Sequence, residues 1–340
     1  MRAFSRRGLL RAGAALPLAA GFAGRALAED ALSEVGPLEV SFVDADLRDE
    51  ARGRSIATRA YYPAKPGRYP VIVFSHGFGG SLLTFTNTGR IWASHGYVVL
   101  HPTHSDSLAR MDPGAPPAEA AVMRQYHEAA GAPSPQLRQA FVKVLDNPFF
   151  IDSRLRDVGV LVSAVKQGKG LDRAIVERAD PTRMGMSGHS FGAYTTLVMA
   201  GALLSPPVSA PVTPGFAGFL SMSGQGPGRM ALHDDSFAGI TKPMMVTTGT
   251  RDFGAAGETP PWRLKPFDLS PPGDKYAVVV DGFAHREFDP APGNPRGAAL
   301  RVMQLRFWAG ALRGDAAARA ALDRQADASK PTDPVWLRRR

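Results

Sequence analysis

From residue 38 onward, short apolar runs alternate with longer stretches in which apolar residues recur every three or four positions. The run Val71-Ile72-Val73-Phe74 is continuously apolar, which is typical of a parallel strand buried on both faces. The stretch Asp152 to Lys166 has helical spacing, so that one apolar face can lie on a sheet. This alternation predicts an α/β fold in which crossover helices join the strands of a mostly parallel sheet.

The pattern predicts about eight strands in one domain, residues 29–340. The predicted strands are Leu38–Val43, Ser55–Tyr62, Val71–Phe74, Tyr97–Leu100, Arg183–Ser187, Gly215–Ser221, Pro243–Thr248 and Tyr276–Val280. Further helices are predicted over Phe191–Leu203 and Asn294–Leu312, the latter with Asn294 as N-cap and Pro295 in the first turn. The tail from Gly314 predicts one more surface helix and a frayed end. Residues 103–148 form a long insertion, which favours a cap or pocket wall.

Residues 1–28 have a pattern of their own. Arginines are paired at Arg6 and Arg7, an alanine-rich apolar stretch follows, and Ala26-Leu27-Ala28 gives a small-x-small cleavage pattern. This resembles a twin-arginine signal peptide, which implies the Tat export machinery as a partner and a bacterial periplasmic or secreted enzyme. The alternative is an amphipathic helix or a membrane anchor, but the stretch is shorter than the roughly 20 residues of a span and Arg25 interrupts it.

The excess positive charge does not indicate a nucleic-acid partner. Lys and Arg number 40 against 31 Asp and Glu, a net charge of +9. Five of the arginines lie in residues 1–28, and Arg338, Arg339 and Arg340 end the chain, so the remainder is close to neutral. The absence of cysteine excludes disulfides, thiolate metal sites and a cysteine nucleophile. After residue 28 no apolar run is long enough to predict a transmembrane segment.

A candidate nucleophile lies in Gly188-His189-Ser190-Phe191-Gly192. The pattern G-x-S-x-G is weak alone, but here it follows a predicted strand and precedes a predicted helix, as a nucleophile elbow requires. Side chains at either glycine would collide with neighbouring backbone in such a turn. We therefore predict Ser190 as the nucleophile.

A serine nucleophile needs a base and an acid that orients the base. Among eight histidines, His285 directly follows the last predicted strand, where a loop can bring it over Ser190. Asp252 lies just after the penultimate strand and is the preferred acid; the other candidates are Asp234, Asp235 and Asp281. The order Ser190, Asp252, His285 is that of α/β-hydrolases.

The oxyanion formed during acyl transfer needs backbone N–H donors. We expect one from Phe191, after the nucleophile, and one from Phe78 in the glycine-rich stretch His76-Gly77-Phe78-Gly79-Gly80-Ser81. The same stretch lacks the Lys-Ser/Thr pair of a phosphate-binding P-loop.

Three motifs together resemble a known family. Ser75–Gly80, Ala93–Val99 and Gly188–Gly192 are similar to the plasma-type platelet-activating-factor acetylhydrolase and dienelactone-hydrolase-related group of α/β-hydrolases. The resemblance implies a serine esterase acting on short acyl or lipid-like esters, with no metal or cofactor. Two features differ: dienelactone hydrolases use cysteine, and the acetylhydrolase takes its acid after an earlier strand, where this chain has Leu220–Ser223.

Other functions stay open at this point. A serine peptidase or amidase would need the same residues, and a non-catalytic binding protein could share the fold. His101 and His104 have a spacing that suggests a metal site, although polar loop chemistry is the commoner reason for such a pair. Trp262 and Phe267, together with residues 103–148, could line an apolar acyl pocket or merely pin a long loop.

Overall fold

The structure, a computed structural model, describes residues 32–110, 112, 114–129, 134–208 and 215–340. The predicted signal segment lies outside these residues. Nine strands of the described chain form a single sheet. Their bounds are Val40–Asp49 (β1), Arg54–Pro63 (β2), Tyr69–Ser75 (β3), Val98–Pro102 (β4), Ala179–His189 (β5), Phe216–Met222 (β6), Met244–Arg251 (β7), Lys275–Ala284 (β8) and Val335–Arg339 (β9).

The strand order is β1-β2-β4-β3-β5-β6-β7-β8-β9. The six strands from β4 to β8 are parallel, whereas β1 and β2 at one edge and β9 at the other are antiparallel. Strands β3 and β4 are buried almost throughout, as expected for parallel strands covered on both faces. The predicted α/β-hydrolase fold with a mostly parallel sheet is therefore confirmed, with one strand more than expected.

Helices cover both faces of the sheet. Their bounds are Thr86–Ser94 (α1), Pro117–Glu128 (α2), Pro135–Leu145 (α3), Pro148–Gln167 (α4), Arg173–Arg178 (α5), Phe191–Ala200 (α6), Lys265–Leu269 (α7), Pro295–Arg313 (α8) and Ala316–Ala328 (α9). Val73 packs into the large core cluster with α4 and α6, whereas its neighbour Phe74 contacts Trp92 of α1. Because successive strand residues point to opposite faces, α1 lies on the face away from α4 and α6. Trp92 in turn contacts Trp308 of α8.

The chain end differs from the expectation of a frayed tail. The helix after Gly314 is present as α9, but residues 335–339 then pair with β8 as an edge strand. The terminal arginines find acidic partners there: Arg338 pairs with Asp268 and Arg339 with Asp327. A charged cluster that suggests a solvated end in the sequence is thus compatible with an edge strand, where one side faces water.

The parallel block brings the carboxyl ends of its six strands to the same end of the sheet. Because β3 pairs in parallel with β5, Ser75 lies opposite Gly188, so the glycine-rich stretch after β3 comes beside Ser190. The carboxyl ends of β6, β7 and β8 follow along the same end of the sheet. None of the helices in the described residues has both the length and the apolar character that a membrane span requires.

Candidate active site

Ser190 sits on a tight turn between β5 and α6. Its backbone has φ 54° and ψ −115°, a conformation that L-residues rarely adopt. The Ser190 N–H donates to Met222 O at 3.0 Å, which ties the turn to the end of β6. A Cβ at Gly188 would overlap the Gly192 carbonyl oxygen, and one at Gly192 would overlap the Ser75 carbonyl oxygen. The steric prediction for both glycines is confirmed.

The structure brings His285 and Asp252 to Ser190. His285 follows β8, and its Nε2 lies 2.9 Å from Ser190 Oγ. Its Nδ1 lies 2.9 Å from Oδ1 of Asp252, which follows β7 and is fully buried. The three side chains therefore form a continuous chain of contacts from a hydroxyl through an imidazole to a carboxylate. Hydrolysis by a serine nucleophile requires this arrangement.

Asp252 is held as a carboxylate. Burial by itself would raise the pKa of Asp252, but the hydrogen bond from His285, the Arg263 guanidinium and the hydrogen bond from Ser223 together hold that pKa below its ordinary value. The Thr248 hydroxyl donates to the second carboxylate oxygen at 3.0 Å. An ionised Asp252 can accept the Nδ1 proton of His285 and leave Nε2 free to accept the Ser190 proton.

The other acids considered from the sequence lie elsewhere. Asp234 and Asp235 are exposed in a short 3-10 helix, residues 234–239. Asp281 is also exposed and pairs with Arg296. Asp252 is the candidate acid that the fold places against His285.

Two residues beside Asp252 were not anticipated from the sequence. Ser223, at the end of β6, has φ 54°, and its Oγ lies 2.9 Å from Asp252 Oδ1 and 2.7 Å from His285 Nδ1. Arg263 is buried, with Nε 2.9 Å from Asp252 Oδ1 and one terminal nitrogen 3.1 Å from His285 Nδ1. Since Nδ1 carries its proton toward Asp252, Arg263 acts on His285 as a neighbouring charge and not as a hydrogen-bond donor.

His189, between Gly188 and Ser190, supports the loop that carries His285, the candidate base. Its Nε2–H donates to the His285 carbonyl at 2.6 Å, and the two rings lie 4.9 Å apart. Burial lowers the pKa of His189 to about 3, so the ring stays neutral at ordinary pH. A second charged imidazole therefore does not form beside His285.

The residues predicted to supply the oxyanion donors lie on either side of Ser190. Phe191 is the first residue of α6, where N–H groups have no intrahelical acceptor. Phe78 belongs to the glycine loop, residues 76–81, which is closed by an N–H of Gly80 donating to Gly77 O at 3.1 Å. A Cβ added at Gly77 would lie 3.4 Å from Ser190 Cβ, so the loop passes directly over the candidate nucleophile.

A cavity of about 720 Å³ opens above these residues. Helices α2 and α3, within the 103–148 insertion, supply one wall through Tyr126 and Phe141, whose rings also contact Phe78. Trp262 lines the cavity and donates its indole N–H to Pro227 O at 2.8 Å. Phe267 packs in the core. Trp262 therefore lines the cavity and also anchors its loop, whereas Phe267 is a packing residue.

Residues 41–116 match the family model of platelet-activating factor acetylhydrolase, isoform II. The resemblance predicted from the sequence motifs is thereby confirmed. A search of the curated proteins finds no match to the chain. The matched segment runs from β1 to the loop before α2 and includes the glycine loop. The acetylhydrolase match supports a hydrolase of the serine esterase or lipase type.

The acetylhydrolase-like segment also contains the two histidines that suggested a metal site. His101 stacks on Phe74 with ring centres 4.9 Å apart. His104 lies with Nδ1 2.8 Å from Asp157 and Nε2 2.9 Å from Ser75 Oγ. The described side chains include no group of three or more potential ligands with metal-site geometry. His104 therefore belongs to a buried hydrogen-bond network behind the glycine loop.

Proposed function

We propose that the protein is a carboxylic ester hydrolase that works through an acyl-enzyme on Ser190. The observation that carries the proposal is the chain of two 2.9 Å contacts, from Ser190 Oγ to His285 Nε2 and from His285 Nδ1 to Asp252 Oδ1, at the floor of an open cavity. The strained turn at Ser190 and the esterase-type family match support the same class of reaction.

The reaction follows from the roles of these groups. Ser190 Oγ attacks the ester carbonyl carbon while its proton passes to His285 Nε2. The bond to the alcohol oxygen then breaks, and His285 returns the proton to the departing alkoxide. Water repeats the sequence on the acyl-enzyme and releases the carboxylic acid. In both steps the N–H groups of Phe78 and Phe191 are the proposed donors to the oxyanion, and Asp252 stabilises the imidazolium.

The cavity wall supports substrates with an apolar part. The aromatic side chains of Phe78, Tyr126, Phe141 and Trp262 line it, together with aliphatic groups from α3. Apolar surface of this kind favours an acyl chain or a lipid-like alcohol through burial from water. We propose short acyl or lipid-like esters as the substrate class.

A p-nitrophenyl ester series of increasing acyl length tests the function. We expect hydrolysis by the wild-type protein and a loss of kcat/KM of about 10⁴-fold or more in Ser190→Ala. Ser221→Ala is the matched control, because Ser221 is a buried serine on β6 whose hydroxyl has no partner among the described residues. Equal activity in Ser190→Ala and wild type would overturn the mechanism. The corresponding p-nitroanilides test the amidase alternative: faster cleavage of these than of the esters would favour an amidase or peptidase.

We also propose that residues 1–28 direct export through the Tat machinery to the periplasm or beyond. The support is the Arg6-Arg7 pair and the Ala26-Leu27-Ala28 pattern. Changing Arg6 and Arg7 to Lys should leave the uncleaved precursor inside the cell, measured by fractionation and immunoblotting. Unaltered processing would contradict the twin-arginine interpretation.

A further inference from the structure

A buried ion pair lies directly behind the glycine loop. Arg154 of α4 and Asp106, which follows β4, are both fully buried. The guanidinium donates from Nε and from one terminal nitrogen to the two carboxylate oxygens, at 2.8 and 2.7 Å. A buried pair of this kind often contributes little net stability, because both charges must leave water. A role in holding specific geometry explains its presence better than stability does.

Both members of the pair bind the backbone of the glycine loop. Arg154 donates to His76 O at 2.7 Å and to Gly77 O at 3.4 Å. Asp106 accepts from the Gly79 N–H at 3.3 Å. The ion pair therefore holds the loop on the two sides of Phe78, the residue between Gly77 and Gly79.

The contact to Gly77 O bears directly on the proposed oxyanion donor. The Gly77 carbonyl and the Phe78 N–H belong to one planar trans peptide, so the direction of the carbonyl fixes the direction of the N–H. His76 also bonds this carbonyl, with Nδ1 at 2.6 Å. Because His76 Nε2 accepts from the His104 N–H at 3.0 Å, the ring proton is on Nδ1, which donates to Gly77 O. Burial holds the pKa of His76 well below its ordinary value, so this neutral tautomer persists.

Arg154 also reaches the residue that carries the second proposed donor. Its guanidinium carbon lies 4.3 Å from the ring centre of Phe191. One buried cation thus touches the peptide of the first donor and the side chain of the second. Donors to a carbonyl also polarise the N–H of the same peptide, which strengthens the hydrogen bond that this N–H can donate.

We propose that Arg154 and Asp106 are positioning residues for the oxyanion hole, acting through the Gly77–Phe78 peptide and the Phe191 ring. This inference rests on the proposed esterase function, since it concerns the transition state of that reaction. The proposal predicts a specific kinetic effect. Removal of the ion pair should slow the formation of the tetrahedral intermediate and leave ground-state binding in the cavity nearly unchanged.

The test uses the double variant Arg154→Gln/Asp106→Asn in the full chain, which leaves neither charge unpaired, together with Arg154→Lys. The matched control is Arg52→Gln. Arg52 bonds buried Asp157 of the same helix and Ser153, but it makes no contact with the glycine loop. Three measurements are made on each: kcat and KM with p-nitrophenyl acetate, the affinity of an alkylboronic acid that forms a tetrahedral adduct, and amide hydrogen exchange of residues 76–81.

We expect the double variant to lose about 10- to 100-fold in kcat, less than the full loss of one oxyanion donor, with KM changed by roughly two-fold or less. Boronate affinity should fall in parallel, and exchange should quicken in residues 76–81. Arg154→Lys should lie between wild type and the double variant, because a single ammonium cannot bond both carboxylate oxygens and the loop carbonyls at once. Arg52→Gln should keep the wild-type kcat.

Three results would overturn the proposal: an unchanged kcat in a folded double variant, a loss that appears in KM alone, or an equal loss of kcat in Arg52→Gln. A wild-type protein that cleaves neither esters nor anilides would instead refute the proposed function. In that case the exchange rates still test whether the ion pair positions the loop, because unchanged protection of residues 76–81 in the double variant contradicts that role.

Discussion

Two buried arginines lie behind the candidate site, and they differ in the acidic residue with which each is paired. Arg154 lies behind the oxyanion half, formed by the glycine loop and Phe191, and Arg263 lies behind the base half, formed by Asp252 and His285. Arg154 has a carboxylate of its own, Asp106, and also bonds the glycine loop and the Ser75 hydroxyl at the end of β3. In the part of the chain that the structure describes, the carboxylate paired with Arg263 is that of Asp252, which also binds His285. The charge of Arg154 is therefore balanced by a carboxylate outside the proposed catalytic groups, whereas the charge of Arg263 is balanced by one of those groups, Asp252.

The backbone contacts of Arg263 reinforce this difference. Its guanidinium donates to four carbonyl oxygens of the loops after β6 and β7, namely those of Ser223, Gly224, Asp252 and Phe253. Arg263 therefore fixes the loop that carries the acid and at the same time places a positive charge 3.1 Å from His285 Nδ1. We infer that the oxyanion half of the site is controlled by geometry and the base half by geometry and charge together.

The largest expected effect is that of Asp252→Asn. An asparagine keeps the shape but cannot stabilise the imidazolium or hold the tautomer that leaves Nε2 unprotonated, so kcat should fall about 10⁴-fold at neutral pH. Ester hydrolysis by purified protein measures it. Asp281→Asn is the control, because Asp281 precedes His285 by only four residues but is exposed and pairs with Arg296 instead. A loss below about 10-fold in Asp252→Asn would place the functional acid elsewhere.

A smaller effect, the pH dependence of kcat/KM, distinguishes the role of Arg263 from that of Arg154. In Arg263→Met the guanidinium that helps to hold the pKa of Asp252 below its ordinary value is removed, so Asp252 begins to take up a proton at a higher pH than in the wild type. We expect a loss of kcat/KM of about 10-fold near pH 8 that grows as the pH falls toward 5.

The pH dependence of kcat/KM in Arg154→Gln/Asp106→Asn should differ from that in Arg263→Met. This double change removes one positive and one negative charge together, so its loss of kcat/KM should be nearly the same at every pH. Parallel pH profiles for the two variants would show that Arg263, like Arg154, acts through geometry alone.

The sequence predicts the three side chains of the candidate triad far better than the buried residues that hold the surrounding loops in place. Ser190, Asp252 and His285 could be proposed because turn glycines and chain order restrict where they lie. Arg154 could not, because the pattern of α4 gives no reason to bury Arg154 and expose Arg156, two residues later on the same helix. Which arginine is buried depends on Asp106, 48 residues earlier in the chain, and that pairing exists only after β4 and α4 have packed.

The strand β9 was missed for a related reason. Arg338, Arg339 and Arg340 indicate a solvated end when the sequence is read locally. In the fold, Asp268 and Asp327 lie close enough to pair with two of them, and β8 offers an open edge. Edge pairing and long-range charge compensation are tertiary properties, which local periodicity does not encode.

The smallest expected effect is on the free energy of unfolding, and it tests whether water reaches the oxyanion half of the site. His101, stacked on Phe74 of the strand that leads into the glycine loop, is fully buried; its Nδ1–H donates to Thr84 O, and its Nε2 has no partner among the described residues. Burial lowers the pKa of His101 to about 3. The unfolded chain protonates this ring near pH 6.5 and the folded chain only near pH 3, so the free energy of unfolding falls as the pH drops through that window.

In His101→Phe this proton linkage is removed, while the ring stays stacked on Phe74. Between pH 8 and pH 5 the wild-type protein should therefore lose about 2 kcal/mol more of its free energy of unfolding than the variant loses, measured by urea denaturation. His127→Gln, an exposed histidine on α2, is the control and should follow the wild-type curve. If His101→Phe loses as much stability in acid as the wild type, His101 takes up its proton in the folded protein, and water reaches the half of the site that we infer to be controlled by geometry alone.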